Sequence, residues 1–282
     1  MKIVFISDFF VEHILGGGEL NDHELLTILQ SKGHEVLKIQ SHLVNENYIK
    51  TKNKEGYCFI VSNFINMSPA CLNYLRECKY IIYEHDHKYL KTRNPAMYED
   101  FLAPETEIIN YEFYKSAKSV FCQSNFHKSI IEKNLKLENI ENLSGNLWSV
   151  DSLEVMRILS KKEKKDICAV LDSRIEHKNT YLTSKYCESK DIKYQLISSP
   201  NYYEFLSLLG TCNKFIFLPK TPETLSRVIV EARMMGLSII ANKNIGATKE
   251  SWYSLKGEEL INCVLNMREQ IPERVLGVFE VR

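Results

Sequence analysis

Short apolar runs that alternate with helical stretches constrain this chain more than anything else in it. In the first half, candidate strands of four to six residues lie at Lys2–Ser7, Glu35–Ile39, Cys58–Ser62, Tyr80–Glu84, Ser119–Gln123 and Ile140–Leu143. Helical patterns at Glu19–Ser31, Pro69–Arg76, Tyr111–Ala117 and Lys128–Leu135 fall between them. Runs this short and apolar, bounded by polar turns, fit strands buried on both faces of a parallel sheet. Strands that alternate with helices are βαβ units, and a string of them builds an α/β fold. A second series opens after Trp148, with a helix at Val150–Ser160. Its strands are predicted at Ile167–Leu171, Tyr194–Ile197, Lys214–Leu218 and Ser238–Ala241, and its helices at Asn179–Ser189, Tyr202–Gly210, Leu225–Met235 and Glu258–Glu269. The run Lys161-Lys162-Glu163-Lys164-Lys165 reads as a solvated turn. A chain of 282 residues has room for one large domain or two compact ones, and the seam between the series predicts domains at 1–150 and 151–282.

Charge and cysteine usage then narrow the function. Lys+Arg and Asp+Glu both number 36, so no global positive field gathers nucleic acid or anionic membrane. The balance is uneven along the chain: residues 1–150 carry 16 basic and 19 acidic side chains, leaving 20 and 17 for the second half. That slight positive bias suits an anionic ligand in the second domain. No apolar run reaches the roughly 18 residues of a membrane-spanning helix, and the short apolar start meets Asp8 with no cleavage site after it, which argues against a signal peptide. The eight cysteines are scattered, without a CxxC pair or zinc spacing. The expectation is a reduced, cytoplasmic protein without a structural metal.

The most informative stretch runs from Phe217 to Ala241: strand, polar loop, helix, glycine stop, strand. Glu223 precedes the predicted helix and Glu231 lies eight residues on, inside it. Eight helical residues rotate about 80° past two full turns, so both carboxylates border one site only if Glu223 is in the loop. Glu231 sits among Val228, Ile229, Val230 and Ala232, and a carboxylate on an apolar helix face needs a partner or a ligand hydroxyl. The helix start near Thr224, Leu225 and Ser226 offers free N–H groups and a positive dipole end for a phosphate. Upstream, Arg174 and Lys178 follow the first strand of the second series, where a guanidinium fork and an ammonium can neutralise phosphate oxygens.

The segment Glu223…Glu231-Ala232…Gly236 resembles the signature of the retaining GT-B glycosyltransferases of family 4. In place of that family's Gly-aromatic-Gly run this chain has Thr224-Leu225-Ser226. Arg174 with Lys178-Asn179 is similar to the family's strand-end Arg and Lys, and Asn244–Glu250 to its last glycine turn. In the first half, Gly16-Gly17-Gly18-Glu19 after the first strand is not a GxGxxG fingerprint, which disfavours a dinucleotide-binding dehydrogenase. It is similar to the family's Gly-Gly-small-Glu loop. Tyr83–Leu90 places His85-Asp86 where the family has His-Asp. Cys122–Lys128 and Asn142–Trp148 resemble its remaining turns, with Ser124 as a helix N-cap.

The resemblance implies a GT-B α/β fold: two Rossmann-like domains with parallel sheets facing a cleft, the first on the acceptor side and the second binding a nucleotide-sugar. It implies a metal-independent glycosyltransferase with no cofactor beyond the nucleotide-sugar donor. Glu223 would meet the donor sugar, Arg174 and Lys178 the diphosphate, and Glu231 the ribose. Thr224, Leu225 and Ser226 would line the phosphate. Gly16, Gly17, Gly18, His85 and Asp86 would face donor and acceptor, with His87, Lys88 and Arg93 extending that loop toward the acceptor. The acceptor stays open among saccharide, lipid-linked glycan, protein and modified DNA base. A nucleotide-sugar-binding protein without catalysis, and an epimerase or phosphorylase on the same fold, are the alternatives.

Overall fold

The computed structural model describes residues 1–280, and its two compact units divide the chain between Leu147 and Trp148. The first unit also takes the chain from Arg268 on, whereas the sequence pattern assigns everything after 150 to the second.

In the first unit the strands are β1 (Lys2–Ser7), β2 (Glu35–Gln40), β3 (Cys58–Val61), β4 (Tyr80–Tyr83), β5 (Val120–Cys122) and β6 (Ile140–Asn142). They form one sheet in the order β2-β1-β3-β4-β5-β6, with every pairing parallel. The helices are α1 (Gly17–Ser31), α2 (Glu46–Lys54), α3 (Pro69–Leu75), α4 (Tyr111–Ser116) and α5 (Asn125–Leu135). Val4, Ile6, Phe59, Val61, Tyr80 and Ile82 meet in the main core. Continuous burial along β3, β4 and β5 explains why these runs show no apolar–polar alternation. The sheet order reverses between β1 and β3, and in open α/β sheets such a switch point, at the carboxyl ends of the strands, is where ligands bind.

In the second unit, α6 (Val150–Ser160) leads into strands β7 (Lys165–Leu171), β8 (Tyr194–Ile197), β9 (Cys212–Phe217) and β10 (Ser238–Ala241). They too are parallel, in the order β10-β9-β7-β8. Helices α7 (Thr180–Ser189), α8 (Tyr202–Gly210) and α9 (Arg227–Met234) connect them. Its switch point falls between β7 and β9. The last helix, α10, spans Glu258–Glu280.

Three elements differ from the sequence reading for identifiable reasons. Helix α2 has one buried residue, Ile49, so it carries no apolar stripe to read; its start is marked only by Asn45, whose side chain accepts from the Tyr48 N–H. Helix α10 continues through Pro272 instead of stopping at Glu269, because Ile271, Val275 and Phe279 bury one face on both sides of the proline. Helix α9 starts at Arg227, two residues later than expected, because Leu225 is a fully buried loop residue. Among the described residues no helix is long and apolar enough to cross a membrane, and all eight cysteines are free thiols.

Candidate functional site

At the switch point of the second unit the loops after β7 and β9 are tied together. The Lys220 N–H donates to the His177 carbonyl at 2.9 Å, and the Asn179 side-chain amide to the Leu218 carbonyl at 2.7 Å. The second loop is strapped to the chain after β10: the Glu223 N–H donates to the Asn244 carbonyl at 2.8 Å, and the Gly246 N–H to the Glu223 carbonyl at 2.9 Å. These bonds hold Glu223 so that Lys178 Nζ sits 2.8 Å and 3.0 Å from its two carboxylate oxygens. The side chains keep 26% and 13% of their exposure, so the pair is lodged in the surface yet reachable from solvent. Arg174 is exposed on the same loop as Lys178. Lys178 and Glu223 thus meet at these strand ends, and Arg174 lies four residues before Lys178 in the loop after β7.

The stretch after Glu223 is not a helix start. Leu225 is buried, and its carbonyl accepts from the Ala247 N–H at 2.9 Å, so its side chain is packing rather than binding. Ser226 is the N-cap of α9 with φ 75° and ψ 83°, a left-handed conformation that favours glycine. Its Oγ is buried without a hydrogen-bond partner. The helix start expected at Thr224–Ser226 therefore lies at Arg227 instead.

Glu231 lies elsewhere in its chemistry. It is 3% exposed, and its Oε1 accepts from Trp148 Nε1 at 2.9 Å and from the Tyr202 hydroxyl at 2.7 Å. Arg227 Nε stands 3.6 Å from the same oxygen, with its guanidinium carbon 4.3 Å from the Trp148 ring centroid. The carboxylate expected to grip a ribose is instead the anchor of a buried aromatic–cation cluster. Burial, with Glu231 adding to it, pushes the Tyr202 phenol well above its ordinary pKa and keeps it a donor.

In the first unit, α1 opens on the glycine loop. Gly16 is the N-cap and Glu19 folds back over it, so a Cβ at Gly16 would collide with the Glu19 carboxylate. Burial raises the Glu19 pKa. Gly17 is exposed, and a Cβ at Gly18 would lie 3.4 Å from His85 Cγ. His85 follows β4, and both its ring nitrogens are engaged: Nε2 with Asp22 Oδ1 at 2.5 Å, and Nδ1 with the Gln123 side-chain amide. With both nitrogens engaged, the imidazole has no ring N–H to offer a sugar hydroxyl in this geometry, which leaves its backbone carbonyl as the group that could face a donor.

The loop after His85 is also less open than its sequence suggests. Lys88 is fully buried, bound to Glu84 and, at 3.1 Å, to Asp86 Oδ1. Its burial would lower the ammonium pKa, but Asp86 and Glu84 outweigh that and raise it. Asp86 shows the mirror case: burial raises its pKa, but Lys88 and Arg93 hold it well below the carboxylate range. His87 is 3% exposed and burial lowers its pKa to about 4. His87 and Lys88 thus cannot reach an acceptor, and Asp86 is committed to two cations. Arg93 alone of this group is half exposed, on the Asp86 carboxylate. Ser124 caps α5 as expected, accepting from the His127 N–H at 3.1 Å. Asp22, which sequence reasoning passed over, turns out to be the carboxylate that holds His85.

No family model matches the chain, and no curated protein matches it. Solved structures do. The catalytic domain of starch synthase IV from Arabidopsis thaliana, bound to ADP and acarbose, superposes with a TM-score of 0.60 at 10% identity, covering 100% of this chain and 95% of that one. HepE from Anabaena in complex with UDP-glucose gives 0.53 at 13% identity, covering 99% and 97%. An alpha-glucosyltransferase in complex with UDP and a 13-mer DNA containing an HMU base gives 0.50 at 12%, covering 99% and 94%. At such identities the likeness shows the fold alone: an α/β chain with parallel sheets.

Proposed function

We propose that the chain is a retaining glycosyltransferase, similar to family 4, that moves a sugar from a nucleotide-sugar to an acceptor hydroxyl. The observation that carries the reading is the Lys178–Glu223 pair at the second unit's switch point, with Arg174 exposed on the same loop after β7 as Lys178. The fold shared with glycosyltransferases whose structures hold UDP, UDP-glucose or ADP supports it.

In this reading the donor diphosphate takes Lys178 and Arg174, and Glu223, released from Lys178, accepts hydroxyls of the donor sugar. The bond from the anomeric carbon to the phosphate oxygen breaks while one to the acceptor oxygen forms on the same face. The acceptor proton passes to the leaving phosphate, whose charge the two cations stabilise in place. Such a reaction needs no resident cofactor and no metal. Glu231 fixes Trp148, Tyr202 and Arg227 within the donor-side unit, and Gly16–Gly18 with Asp86 and Arg93 belong to the acceptor side.

A panel of UDP-, GDP- and ADP-sugars, read by thermal shift and by release of free nucleotide with an acceptor mixture, tests the proposal. Glu223→Gln and Arg174→Ala are expected to lower turnover by about 10²–10³-fold with unchanged melting. Near wild-type turnover in either variant removes the site assignment. Binding of a nucleotide-sugar with no turnover on any acceptor favours the binding-protein reading, for which the buried Leu225 and strained Ser226 are the motive.

A further inference from the structure

Helix α1 carries a carboxylate on the side that should be apolar. Asp22 lies in line with Leu25, Leu26 and Leu29 at spacings of three, four and seven, and all four are buried, Asp22 completely. Burying an ionised carboxylate is costly unless donors surround it. Here they do. Its Oδ2 accepts from the Ser62 hydroxyl at 2.6 Å and the Ser7 hydroxyl at 3.3 Å, and its Oδ1 meets His85 Nε2 at 2.5 Å. Ser7 ends β1 and Ser62 follows β3, so Asp22 sits under the switch point of the first sheet.

We propose that Asp22 is the positioning residue of the first unit's site, acting through His85. An ionised carboxylate only accepts, so His85 Nε2 carries the proton. Nδ1 of the neutral ring is then an acceptor, and the Gln123 side-chain amide donates to it. One tautomer and one ring orientation satisfy both neighbours. The Tyr83 ring meets the imidazole edge-on, centroids 5.3 Å apart at 88°. With the ring fixed from both sides, its Cγ lies 3.4 Å from where a Gly18 Cβ would stand, so the imidazole sets how close the glycine loop approaches the end of β4. His85 thus works as a strut under the loop, and Asp22 sets the strut.

The kinetic part of the proposal rests on the glycosyl-transfer reading; the tautomer does not. Ring ¹⁵N spectra of the wild-type protein, with His85 assigned by difference against His85→Ala, are expected to show a neutral imidazole protonated at Nε2. A ring protonated at Nδ1 overturns the proposal without any Asp22 variant having to fold. In Asp22→Ala no carboxylate is left to accept from Nε2–H, and the preference for the Nε2–H form should weaken toward a mixture of the two tautomers. An undiminished preference also overturns the proposal. In the transfer assay Asp22→Asn should lower kcat by about tenfold or more, the scale of a residue that orients another, with the donor KM unchanged. The same substitution in a His85→Ala background should cost less than about twofold, because residues acting as a unit are not additive. An equal loss in both backgrounds shows that Asp22 does not act through His85. If the wild type turns over no nucleotide-sugar, the enzymatic reading fails while the spectra still decide the role of Asp22.

Discussion

Replacing Glu231 separates a ligand-holding carboxylate from a structural one. In Glu231→Ala the Trp148 indole, the Tyr202 hydroxyl and Arg227 lose a common acceptor at once. Arg227 is 9% exposed and keeps further contacts, so losing Glu231 costs it less than the ~3–5 kcal/mol of a fully uncompensated buried charge. Two orphaned donors add roughly 1–3 kcal/mol each before relaxation, with overlap, since the three groups share one site. A total of about 4 kcal/mol, at roughly 3–5 °C per kcal/mol for a domain of this size, lowers the melting temperature by about 10–20 °C. Glu231→Gln keeps an acceptor for the indole and the phenol and loses only the charge, so its cost should be less than half as large. The chain's two tryptophans, Trp148 and Trp252, both belong to the second unit, so fluorescence during urea unfolding reports on that unit. Melting of Glu231→Ala within about 2 °C of the wild type, with weakened nucleotide-sugar binding, would refute the structural role and restore the ribose contact.

Two further outcomes follow from strained or buried groups. Ser226→Gly relieves a left-handed conformation that costs a non-glycine residue about 1–2 kcal/mol, less the extra freedom glycine gives the unfolded chain; it should stabilise the second unit by about 1 kcal/mol, and a lowered urea midpoint would mean that the hydroxyl contributes more than the strain costs. His87 has a folded pKa of about 4 against an ordinary 6.5, so the unfolded chain binds its proton first. Stability from this group is complete above pH 6.5 and is lost as the pH falls toward 4, by roughly 3 kcal/mol in all. Burial lowers the pKa of His127 as well, so the acid slope has two sources. His87→Phe should make the melting temperature fall less steeply over that interval, and an unchanged slope would show that His87 is not held neutral.

The central strands β1, β3, β4 and β5 were legible because each is a short apolar run buried in a parallel sheet, while β8 and β10, only partly buried, still fall on the predicted residues. The failures share a cause: local patterns miss what a distant segment does. Leu225 reads as the first apolar position of a helix, yet the chain at Ala247 holds it in a loop. The Glu223–Lys178 pair was within reach, since both residues fall in strand-end loops of one series. Glu231 was correctly marked as needing a partner, but nothing nearby in sequence says that the partners are Trp148 and Tyr202. Asp22 left a usable signal, an acid in line with Leu25, Leu26 and Leu29, which the alternation of charged and apolar residues in α1 conceals.

The return of the last helix to the first unit gives the chain an order of assembly. From Arg268 on, α10 completes a unit whose strands are all made by residue 142: Arg268 reaches Glu24 at 2.7 Å, and Arg274 donates to the Asn142 carbonyl at 2.8 Å. During synthesis, therefore, the amino-terminal unit has all its strands early but lacks its last helical segment until the second unit has been made, a departure from the usual vectorial order of multidomain chains. Every residue of the second unit leaves the ribosome before the segment that closes the first. In terms of connectivity the second unit is an insertion, and its folding brings the two pieces of its host within reach. A cut near residue 150 would release an unfinished protein rather than a domain.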